Sequence, residues 1–343
     1  MLTEKEVKEL REELDSCKNP LIYFHNDPDG FCSFLLLYKY VGQGKGVIIK
    51  SSIELPASFA RSVEEYNPDK VFIVDKPDVS QEFLDVIKQP VVWVDHHPPI
   101  KRHKVKYFNP RVNDPNANLP ASFLCYQAVQ ENMWISMVGC TGDWVIPEFI
   151  DQIKKDYPDL IDKDINTPEE VLFNSKFGKL ARILSFCLKG HIGDVKKCIN
   201  IMTRIKTPYE LLNQETPQAK FMYKRFKKID DEYQETLKDA VNSKTKDEIL
   251  LFLYKQDRMS LNPDLANELM YKFPEKVIMV GREKSGEVKL SIRGNNYNLP
   301  SVLDAGLEGC EGYGGGHEHA VGANVKKSDF DKFLEQFRMG MKK

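Results

Sequence analysis

Histidine and aspartate residues alternate in a short segment near the start of the sequence. His25, Asp27 and Asp29 are each separated by one residue, and Gly30 follows them directly. Alternate side chains of a tight loop can point to the same side, so these three residues could ligate hard metal ions together. Pro28 would stiffen the loop, and Gly30 would permit a backbone turn before a helix. An aspartate–proline turn that only caps a helix is the alternative for this segment.

Three further clusters of the same side chains follow along the chain. They are Asp75, the adjacent Asp95, His96 and His97, and Asp143. Two imidazoles beside an aspartate offer ring nitrogens, a proton donor or acceptor, and a carboxylate that can orient a ring. Taken singly, Asp75 could be a turn or helix-cap residue, and the histidine pair could lie in a solvated loop.

Together the clusters would bring four carboxylates and two or three imidazoles to one place. Holding that many negative charges side by side is costly unless cations neutralise them. Oxygen and nitrogen ligands without a thiolate favour manganese or magnesium, with zinc, cobalt and iron as open alternatives. Two ions about 3.5 to 4 Å apart can activate a bridging water and stabilise both oxygens of an in-line displacement at phosphorus. The clusters therefore predict hydrolysis of phosphoryl esters.

The clusters follow apolar segments that should belong to one sheet. Residues 21–24, 71–74 and 91–94 are continuous apolar runs, typical of parallel strands covered on both faces, and helical patterns lie between them. Open α/β sheets bind ligands at the carboxyl ends of their strands, which is where the clusters fall. The apolar, glycine-broken segment 137–143 is expected to bring Asp143 to the same edge.

Length and composition along the chain predict two α/β domains. A chain of 343 residues exceeds what one hydrophobic core usually organises. We expect a catalytic domain with a parallel sheet flanked by helices at residues 1–205. A helical connector at 206–245 and a smaller α/β domain at 246–343 should follow. The charges of the connector mix both signs, which is typical of a solvated helix face.

The second domain should contain short strands, glycine-rich loops and a closing helix. Strands are predicted at residues 249–254, 276–280 and 288–292. Ser328 is expected to cap the last helix. Its apolar stripe would be Phe330, Phe333, Leu334 and Phe337.

Composition argues against several classes of protein. Lysine and arginine total 49 against 51 acidic residues, so no global positive field indicates a nucleic-acid partner. The first 21 residues are charged and helix-patterned, unlike a secretory signal, and no stretch approaches the ~20 apolar residues of a membrane helix. Seven scattered cysteines without a C-x-x-C pair argue against disulfides or a thiolate zinc site, and they favour a reducing cytoplasm.

The ordered motifs resemble those of the DHH phosphoesterase superfamily, which takes its name from the third of them. The matching segments are His25-x-Asp27-x-Asp29-Gly30, Asp75, Asp95-His96-His97 and Gly142-Asp143. Later in the chain, two segments resemble the substrate-binding signature of the first type of DHH-associated domain. They are Ser291-Ile292-Arg293 and Gly314-Gly315-Gly316-His317.

The resemblance implies a role for each of these residues. The ligands implied for one ion are His25, Asp27 and Asp75. Those implied for the second ion are Asp29, Asp75, His96 and Asp143, so that Asp75 would bridge the pair. His97 would lie near the scissile phosphate as a donor or acid/base group, supported by Asp95. The substrate-binding residues implied are Ser291, Arg293, Gly314, Gly315, Gly316 and His317. The two ions would be manganese, with magnesium or cobalt as alternatives.

The same superfamily contains several substrate classes. They are RecJ-like single-strand exonucleases, nanoRNases that also act on adenosine bisphosphate, cyclic-dinucleotide phosphodiesterases, pyrophosphatases and polyphosphatases. The one-residue spacing of the first motif resembles RecJ more than the nanoRNases. The length leaves no room for the extra oligonucleotide-binding domains of large bacterial RecJ enzymes.

We therefore expect an exonuclease or oligonucleotidase that shortens single-stranded RNA or DNA to mononucleotides. One alternative is a small-molecule phosphohydrolase that acts on cyclic dinucleotides, adenosine bisphosphate or pyrophosphate. The other is a non-catalytic scaffold that binds nucleic acid. No membrane partner is expected, and the oligomeric state stays open, with a dimer among the options.

Overall fold

A parallel sheet organises the first of two compact units, Met1–Phe226 and Lys227–Lys343. The computed structural model describes residues 1–50, 54–243, 246–255 and 260–342. The strands described in the first unit are β1 (Pro20–His25), β2 (Lys45–Ile49), β3 (Glu54–Leu55), β4 (Lys70–Val74), β5 (Asp78–Val79), β6 (Val91–Val94) and β7 (Lys106–Phe108).

The main sheet has five strands among the described residues, in the order β2-β1-β4-β6-β7, and all of them run parallel. Strands β3 and β5 form a separate short parallel pair. The predicted runs 21–24, 71–74 and 91–94 lie in β1, β4 and β6, and their side chains are buried. Such runs suit strands covered on both faces. The predicted parallel α/β sheet is thus confirmed.

Helices surround the sheet. Those that begin in the first unit, within the described residues, are α1 (Glu4–Asp15), α2 (Pro28–Val41), α3 (Ala60–Tyr66), α4 (Gln81–Val86), α5 (Ala121–Val129), α6 (Met133–Gly142), α7 (Ile150–Asp156), α8 (Pro168–Asn174), α9 (Lys176–Cys187), α10 (Ile192–Met202), α11 (Pro208–Leu212) and α12 (Pro217–Asn242). Helix α2 packs against β1, α5 and α6, and Phe31 and Phe34 stack on Phe24 of the strand. This packing fixes the start of α2 beside the end of β1.

The segment 137–143, whose element type the sequence leaves open, is helical. It forms the end of helix α6, so Asp143 follows a helix, whereas the other three clusters follow strands. Helix α6 packs against α2, α5 and α9 and is buried from Trp134 to Thr141. A helix buried on all sides has no polar face and therefore lacks the 3.6-residue periodicity that would distinguish it from a strand.

The connecting helix α12 is more deeply packed than its charges suggest. One face is buried, and the buried side chains are Ala219, Met222, Phe226, Ile229, Tyr233, Leu237 and Ala240. The two compact units divide within this helix, after Phe226. The last two residues of the predicted connector, Lys244 and Thr245, lie outside the described residues.

The second unit contains a mixed sheet in the order β11-β12-β10-β9-β8. Its described elements are β8 (Ile249–Tyr254), α13 (Asn262–Lys272), β9 (Val277–Lys284), β10 (Glu287–Arg293), α14 (Leu299–Leu307), β11 (Gly312–His317), β12 (Ala320–Lys326) and α15 (Phe330–Gly340). Strand β8 is parallel to β9, and the remaining described pairs are antiparallel. The smaller α/β domain is thus confirmed.

The two faces of this sheet have different surroundings. Ile292 and Val321 lie in the hydrophobic core with Phe333 and Phe337 of α15, and the predicted stripe of that helix is buried. On the other face, α13 packs against β9 and β10, and Asn267 accepts a hydrogen bond from Arg293.

Two local predictions in this unit are wrong. The glycine-rich segment that includes Gly314 to His317 is the edge strand β11, whereas glycine-rich loops are predicted after the strands of this domain. A ladder uses backbone groups, and glycine supplies them as well as any residue. Ser328 does not cap the last helix. It lies in a 3-10 turn, Lys327–Asp329, and α15 begins at Phe330 with Asp329 at its cap position.

The seven cysteines are free thiols, six of them buried and Cys310 half-buried. Burial raises the pKa of several thiols, including those of Cys125 and Cys140, so they stay protonated. Among the described helices, none is long and apolar enough to cross a membrane.

Candidate metal centre

The first motif lies where β1 passes into α2. His25 is the last residue of β1, and Asp27 is the N-cap of α2, where its carboxylate accepts a hydrogen bond of 2.9 Å from the Gly30 amide. Gly30 lies against the backbone of His25: an added Cβ would be 2.7 Å from both the nitrogen and the oxygen of that residue. The close approach of helix and strand therefore requires glycine at position 30.

We expect Gly30→Ala to distort the first motif. The added methyl group must displace the backbone of His25, and overpacking of this kind costs about 1–3 kcal/mol. The thermal midpoint should fall by several degrees and the affinity for Mn²⁺ should fall with it, as measured by thermal unfolding and metal titration. Gly322→Ala is the matched control for stability, because its methyl would lie 3.7 Å from the nearest described atom. Unchanged midpoint and metal affinity in Gly30→Ala would contradict the expectation.

Asp75 lies between two histidines at the end of β4. Its carboxylate oxygens are 3.4 Å from His25 Nδ1 and 3.4 Å from His96 Nε2. The residue is buried, and its φ of +54° places it in the left-handed region, which is uncommon for a residue other than glycine. A hydrogen bond from its amide to the Val94 carbonyl, 3.0 Å long, continues the pairing with β6 and holds this conformation.

The remaining ligand candidates converge on His96. Its Nε2 is 3.4 Å from an oxygen of Asp143, which follows the last turn of α6. Asp29 is fully buried, and its two oxygens accept hydrogen bonds of 2.8 and 2.9 Å from the amides of Ala121 and Ser122. These two amides begin helix α5, so the helix N-terminus stabilises the Asp29 carboxylate.

The side chains form three overlapping groups whose candidate ligand atoms lie within 4.8 Å of one another. The groups are His25, Asp27 and Asp75; Asp29, His96 and Asp143; and Asp75, His96 and His97. Asp75 and His96 each belong to two of them. The structure therefore brings together all six residues for which the resemblance implied metal ligation.

Two buried atoms at the centre support the fit to metal ions. His25 Nδ1 is 2.6 Å from an Asp27 oxygen, but His25 Nδ1 and Asp75 Oδ2 are both buried without a hydrogen-bond partner. Buried polar atoms are rarely left in this way. Ligand oxygen and nitrogen atoms that face one another without hydrogen-bond geometry can hold a cation between them. Carboxylate oxygens and imidazole nitrogens are ligands that suit hard divalent ions.

The titration behaviour of the cluster reflects its crowded charges. Burial alone would lower the pKa of His25, but the charges of Asp27 and Asp75 outweigh it and raise this pKa to about 11. Burial and the neighbouring charge of Asp75 raise the pKa of Asp29 to about 7. Burial, then the charge of Asp29, also raises the pKa of Asp143. Without added positive charge, these carboxylates therefore resist full ionisation.

His97 has different partners from His96. Its Nδ1 is 2.8 Å from one oxygen of the buried Asp95, and its amide donates to the other oxygen at 3.0 Å. The hydroxyl of Tyr107 and the amide of Asn109 approach the same carboxylate at 3.4 and 3.5 Å. Because Asp95 engages Nδ1, Nε2 is the ring nitrogen that remains for another partner.

Some of these residues carry no signal in the sequence. Tyr107 and Asn109 belong to β7 and the turn after it, and nothing in their spacing indicates that they contact Asp95. Ala121 and Ser122 contribute only backbone amides. A carboxylate bound by a helix N-terminus distant in sequence becomes visible only in the folded chain.

The residues predicted to bind substrate lie in the second unit. Ser291 and Arg293 are on β10, and Gly314, Gly315, Gly316 and His317 form most of the exposed edge strand β11. The Arg293 guanidinium donates a hydrogen bond of 2.7 Å to the side-chain oxygen of Asn267 and one of 2.9 Å to the Ile292 carbonyl. Burial lowers the pKa of Arg293 to about 10, which leaves it protonated at neutral pH.

Both parts of the chain match models of known protein families. The N-terminal domain of the DHH family matches residues 19–159, and the DHHA1 domain matches residues 224–343. No curated protein sequence gives a significant match.

Solved structures share the fold at low sequence identity. RecJ from Thermus thermophilus, in complex with Mn²⁺, aligns with a TM-score of 0.68 and 13% identity over 100% of this chain and 56% of that one. The chain thus spans little more than half the length of that relative. An exonuclease RecJ bound to manganese aligns with a TM-score of 0.64 and 13% sequence identity, and the alignment covers 98% of this chain and 94% of that one. The pGpG-specific phosphodiesterase PggH from Vibrio cholerae aligns with a TM-score of 0.54 and 12% sequence identity, and the alignment covers 93% of this chain and 97% of that one.

Proposed function

The chain belongs to the DHH superfamily of metal-dependent phosphoesterases and carries a C-terminal DHHA1 domain, and we propose that it is an exonuclease or oligonucleotidase. Its proposed substrates are short single-stranded RNA or DNA, shortened from one end to mononucleotides. The main support for the proposal is that the predicted ligands lie together in three overlapping groups. Asp75 belongs to two of these groups, and so does His96.

The ligand groups support a site for two divalent ions, manganese by preference. His25, Asp27 and Asp75 would hold one of them, and Asp29, Asp75, His96 and Asp143 the other. When bound, such ions supply Lewis acidity and lower the pKa of bound water. The ion preference rests on the donor atoms, because carboxylate oxygens with imidazoles and no thiolate suit manganese and magnesium.

His97 is proposed to donate a hydrogen bond or a proton to the substrate. Asp95 accepts from its Nδ1 and its backbone amide, so the ring is held in one orientation and Nε2 remains for the substrate. An imidazole fixed in this way can stabilise charge on a phosphate oxygen or protonate a leaving oxygen. Asp95 is thus a positioning residue.

We expect Asp95→Asn to lower kcat by about 10- to 100-fold while metal content stays constant. An asparagine side chain has one acceptor oxygen, so it cannot accept from both Nδ1 and the amide of His97 as Asp95 does. Steady-state kinetics and metal analysis of the purified variant would measure the two effects. Tyr107→Phe is the matched comparison, because it removes the 3.4 Å contact to the same carboxylate and the 2.7 Å hydrogen bond that the hydroxyl accepts from Asn109, but leaves both contacts between Asp95 and His97 in place. Loss of bound metal in parallel with activity would assign Asp95 to metal binding.

A small-molecule phosphohydrolase is the second candidate. Its support is the fold shared with PggH, which covers nearly all of both chains. Cyclic dinucleotides, adenosine bisphosphate and pyrophosphate would then be the substrates. A non-catalytic scaffold is less well supported, because such a chain has no need to keep six metal-ligand candidates together.

One panel of substrates separates these candidates. It contains end-labelled RNA and DNA oligomers of increasing length, cyclic dinucleotides, adenosine bisphosphate and pyrophosphate, each with Mn²⁺ and with chelator. Chelator-sensitive shortening of the oligomers to mononucleotides is the expected result, and the labelled end that disappears first gives the direction. Turnover confined to the small substrates would support the second candidate. Inactivity of metal-loaded protein on the whole panel would support the scaffold.

A further inference from the structure

Strand β8 is an edge strand of the C-terminal sheet, and none of its six residues is charged. The strand has the sequence Ile249-Leu250-Leu251-Phe252-Leu253-Tyr254. It stands last in the order β11-β12-β10-β9-β8, and within the described ranges no strand pairs with its outer side. Leu253 is 44% exposed, and Leu251 and Phe252 are half-buried. An apolar strand therefore stands at an open edge of the sheet.

The other edge strands of the two five-stranded sheets carry features that hinder pairing with a further strand. Strand β2 begins with Lys45 and Gly46, β7 has only three residues and begins with Lys106, and β11 contains four glycines. Short length, lysine and weak strand formers are among the means by which proteins protect a sheet edge. Strand β8 has six residues without lysine, glycine or proline. Its edge lacks this protection, as expected of a strand that pairs with another chain.

Backbone geometry shows which groups of β8 face the open side. The Val277 amide of β9 donates a hydrogen bond of 3.0 Å to the carbonyl of Glu248, the residue just before β8. Backbone groups alternate in direction along a strand, so the even-numbered residues of β8 direct theirs toward β9. Ile249, Leu251 and Leu253 therefore direct their N–H and C=O groups outward. These three residues can pair with a further strand.

We propose that β8 is a self-association surface, on which a second copy of this chain adds its own β8 in antiparallel orientation. Two identical antiparallel strands are related by a two-fold axis perpendicular to the sheet, so one residue lies opposite its own copy. With Leu251 at the axis, Ile249 lies opposite the partner's Leu253, and Leu253 lies opposite the partner's Ile249. Each of the three opposed pairs can exchange two hydrogen bonds, about six in all. The two C-terminal sheets then form one continuous sheet.

The side chains along this register are complementary in character. Ile249 belongs to the hydrophobic core of the unit, and Leu251 packs against it. Alternation along the strand places Leu253 on the same face of the sheet. The exposed Leu253 therefore packs against the partner's Ile249, which forms a cross-strand pair of two aliphatic residues. Self-association thus covers apolar surface that a single copy leaves in solvent.

The residues that flank β8 carry opposite charges at its two ends. Asp247 and Glu248 precede the strand, Lys255 follows it, and all three are exposed. In the register centred on Leu251, Asp247 comes opposite the partner's Lys255 at each end of the paired strands. The Asp247 carboxylate already accepts from Arg338, and its lone pairs suffice for both cations. The two-fold arrangement brings acid against base, and this favours a second copy over an unrelated partner.

Self-association is tested on the full-length chain by sedimentation velocity across a concentration series. The monomer mass is 39.5 kDa, and we expect the wild type to approach twice this mass as its concentration rises. A pair of six-residue strands buries less surface than a standard interface, so the dissociation constant should lie in the range of about 1–100 μM. A wild type that stays monomeric well above this range would overturn the proposal.

The variant Leu253→Lys places a charge on the open edge, as protected edge strands do. Both copies change, so two cross-strand pairs are lost, and the dimer should weaken by about tenfold or more. Val86→Lys is the matched control, since Val86 is 54% exposed at the end of α4, in the other compact unit. The control should dimerise as the wild type does, and thermal unfolding verifies that both variants are folded. Undiminished association of folded Leu253→Lys protein would overturn the role of β8.

Cysteine substitution tests the register of the paired strands. Leu251→Cys places two thiols opposite each other, where the Cα atoms of a hydrogen-bonded pair lie about 5.5 Å apart, within the range of disulfides. Mild oxidation should therefore give covalent dimers above the background of the wild type, whose thiols are buried or half-buried. Leu253→Cys is the matched control, because its two copies would lie about 13 Å apart along the strands, too far for a disulfide. Any result other than preferential cross-linking of Leu251→Cys would overturn the register.

Discussion

Replacing Asp75 with asparagine should lower kcat/KM on phosphodiester substrates by about 1000-fold or more. Its carboxylate lies with His25 and Asp27 in one candidate ligand group and with His96 and His97 in another. Because Asp75 is a proposed ligand of both ions, its loss should weaken both metal positions at once. Metal ions supply several kcal/mol of charge stabilisation in such reactions, and ~4 kcal/mol corresponds to a factor of about 1000 in rate. Asparagine keeps the shape of the buried side chain, which limits the effect on folding.

Kinetics and metal analysis of the same preparation test this expectation. Asp151→Ala is the matched control, because this aspartate is exposed in the first turn of α7, and its activity should remain at the wild-type level. The bridging assignment requires that Asp75→Asn bind less metal than wild type. Wild-type activity in a folded, metal-loaded Asp75→Asn protein would refute the two-ion arrangement.

Removing metal should abolish activity and lower thermal stability. An ion present at 100 times its dissociation constant stabilises a folded protein by about 2.7 kcal/mol. For a unit of some 200 residues, each kcal/mol shifts the midpoint by roughly 2–4 °C, so chelation should lower it by about 5–10 °C. Thermal unfolding with Mn²⁺ and with chelator measures the shift, and restored Mn²⁺ should recover both activity and midpoint.

The variant Asp75→Asn provides a control for this measurement. Its midpoint should respond much less to chelator, because the site that links metal binding to folding has been weakened. If chelation shifts the midpoint of both proteins equally, the stabilising ion binds elsewhere in the chain. If chelation leaves wild-type activity intact, the phosphoesterase chemistry does not depend on exchangeable metal.

The central strands could be predicted because burial on both faces leaves a clear pattern. The runs 21–24, 71–74 and 91–94 are continuous and apolar, and each ends at a residue of the candidate centre. Since parallel strands present their carboxyl ends at one edge, the convergence of His25, Asp75 and His96 followed from the pattern. Folding then set the distances, such as the 3.4 Å between Asp75 and each histidine.

Other elements could not be predicted, for separate physical reasons. Helix α6 is buried all round, so its apolar run carries no helical period. The edge strands β2 and β7 are short and contain exposed residues, and β11 is mostly glycine. Such strands are held by backbone pairing to a neighbour, a property that the identity of their side chains does not reveal.

The amides of Ala121 and Ser122 give Asp29 a second role. Its carboxylate holds the start of helix α5 as well as facing the metal-ligand groups, so its removal would leave two buried N–H donors unpaired. In a related protein that has lost catalytic activity, substitutions at a residue such as Asp143 would be tolerated. Selection for folding would still preserve Asp29. An aspartate at this position in a distant relative is therefore a poor marker of retained activity, and inheritance of function is better judged from the other ligands.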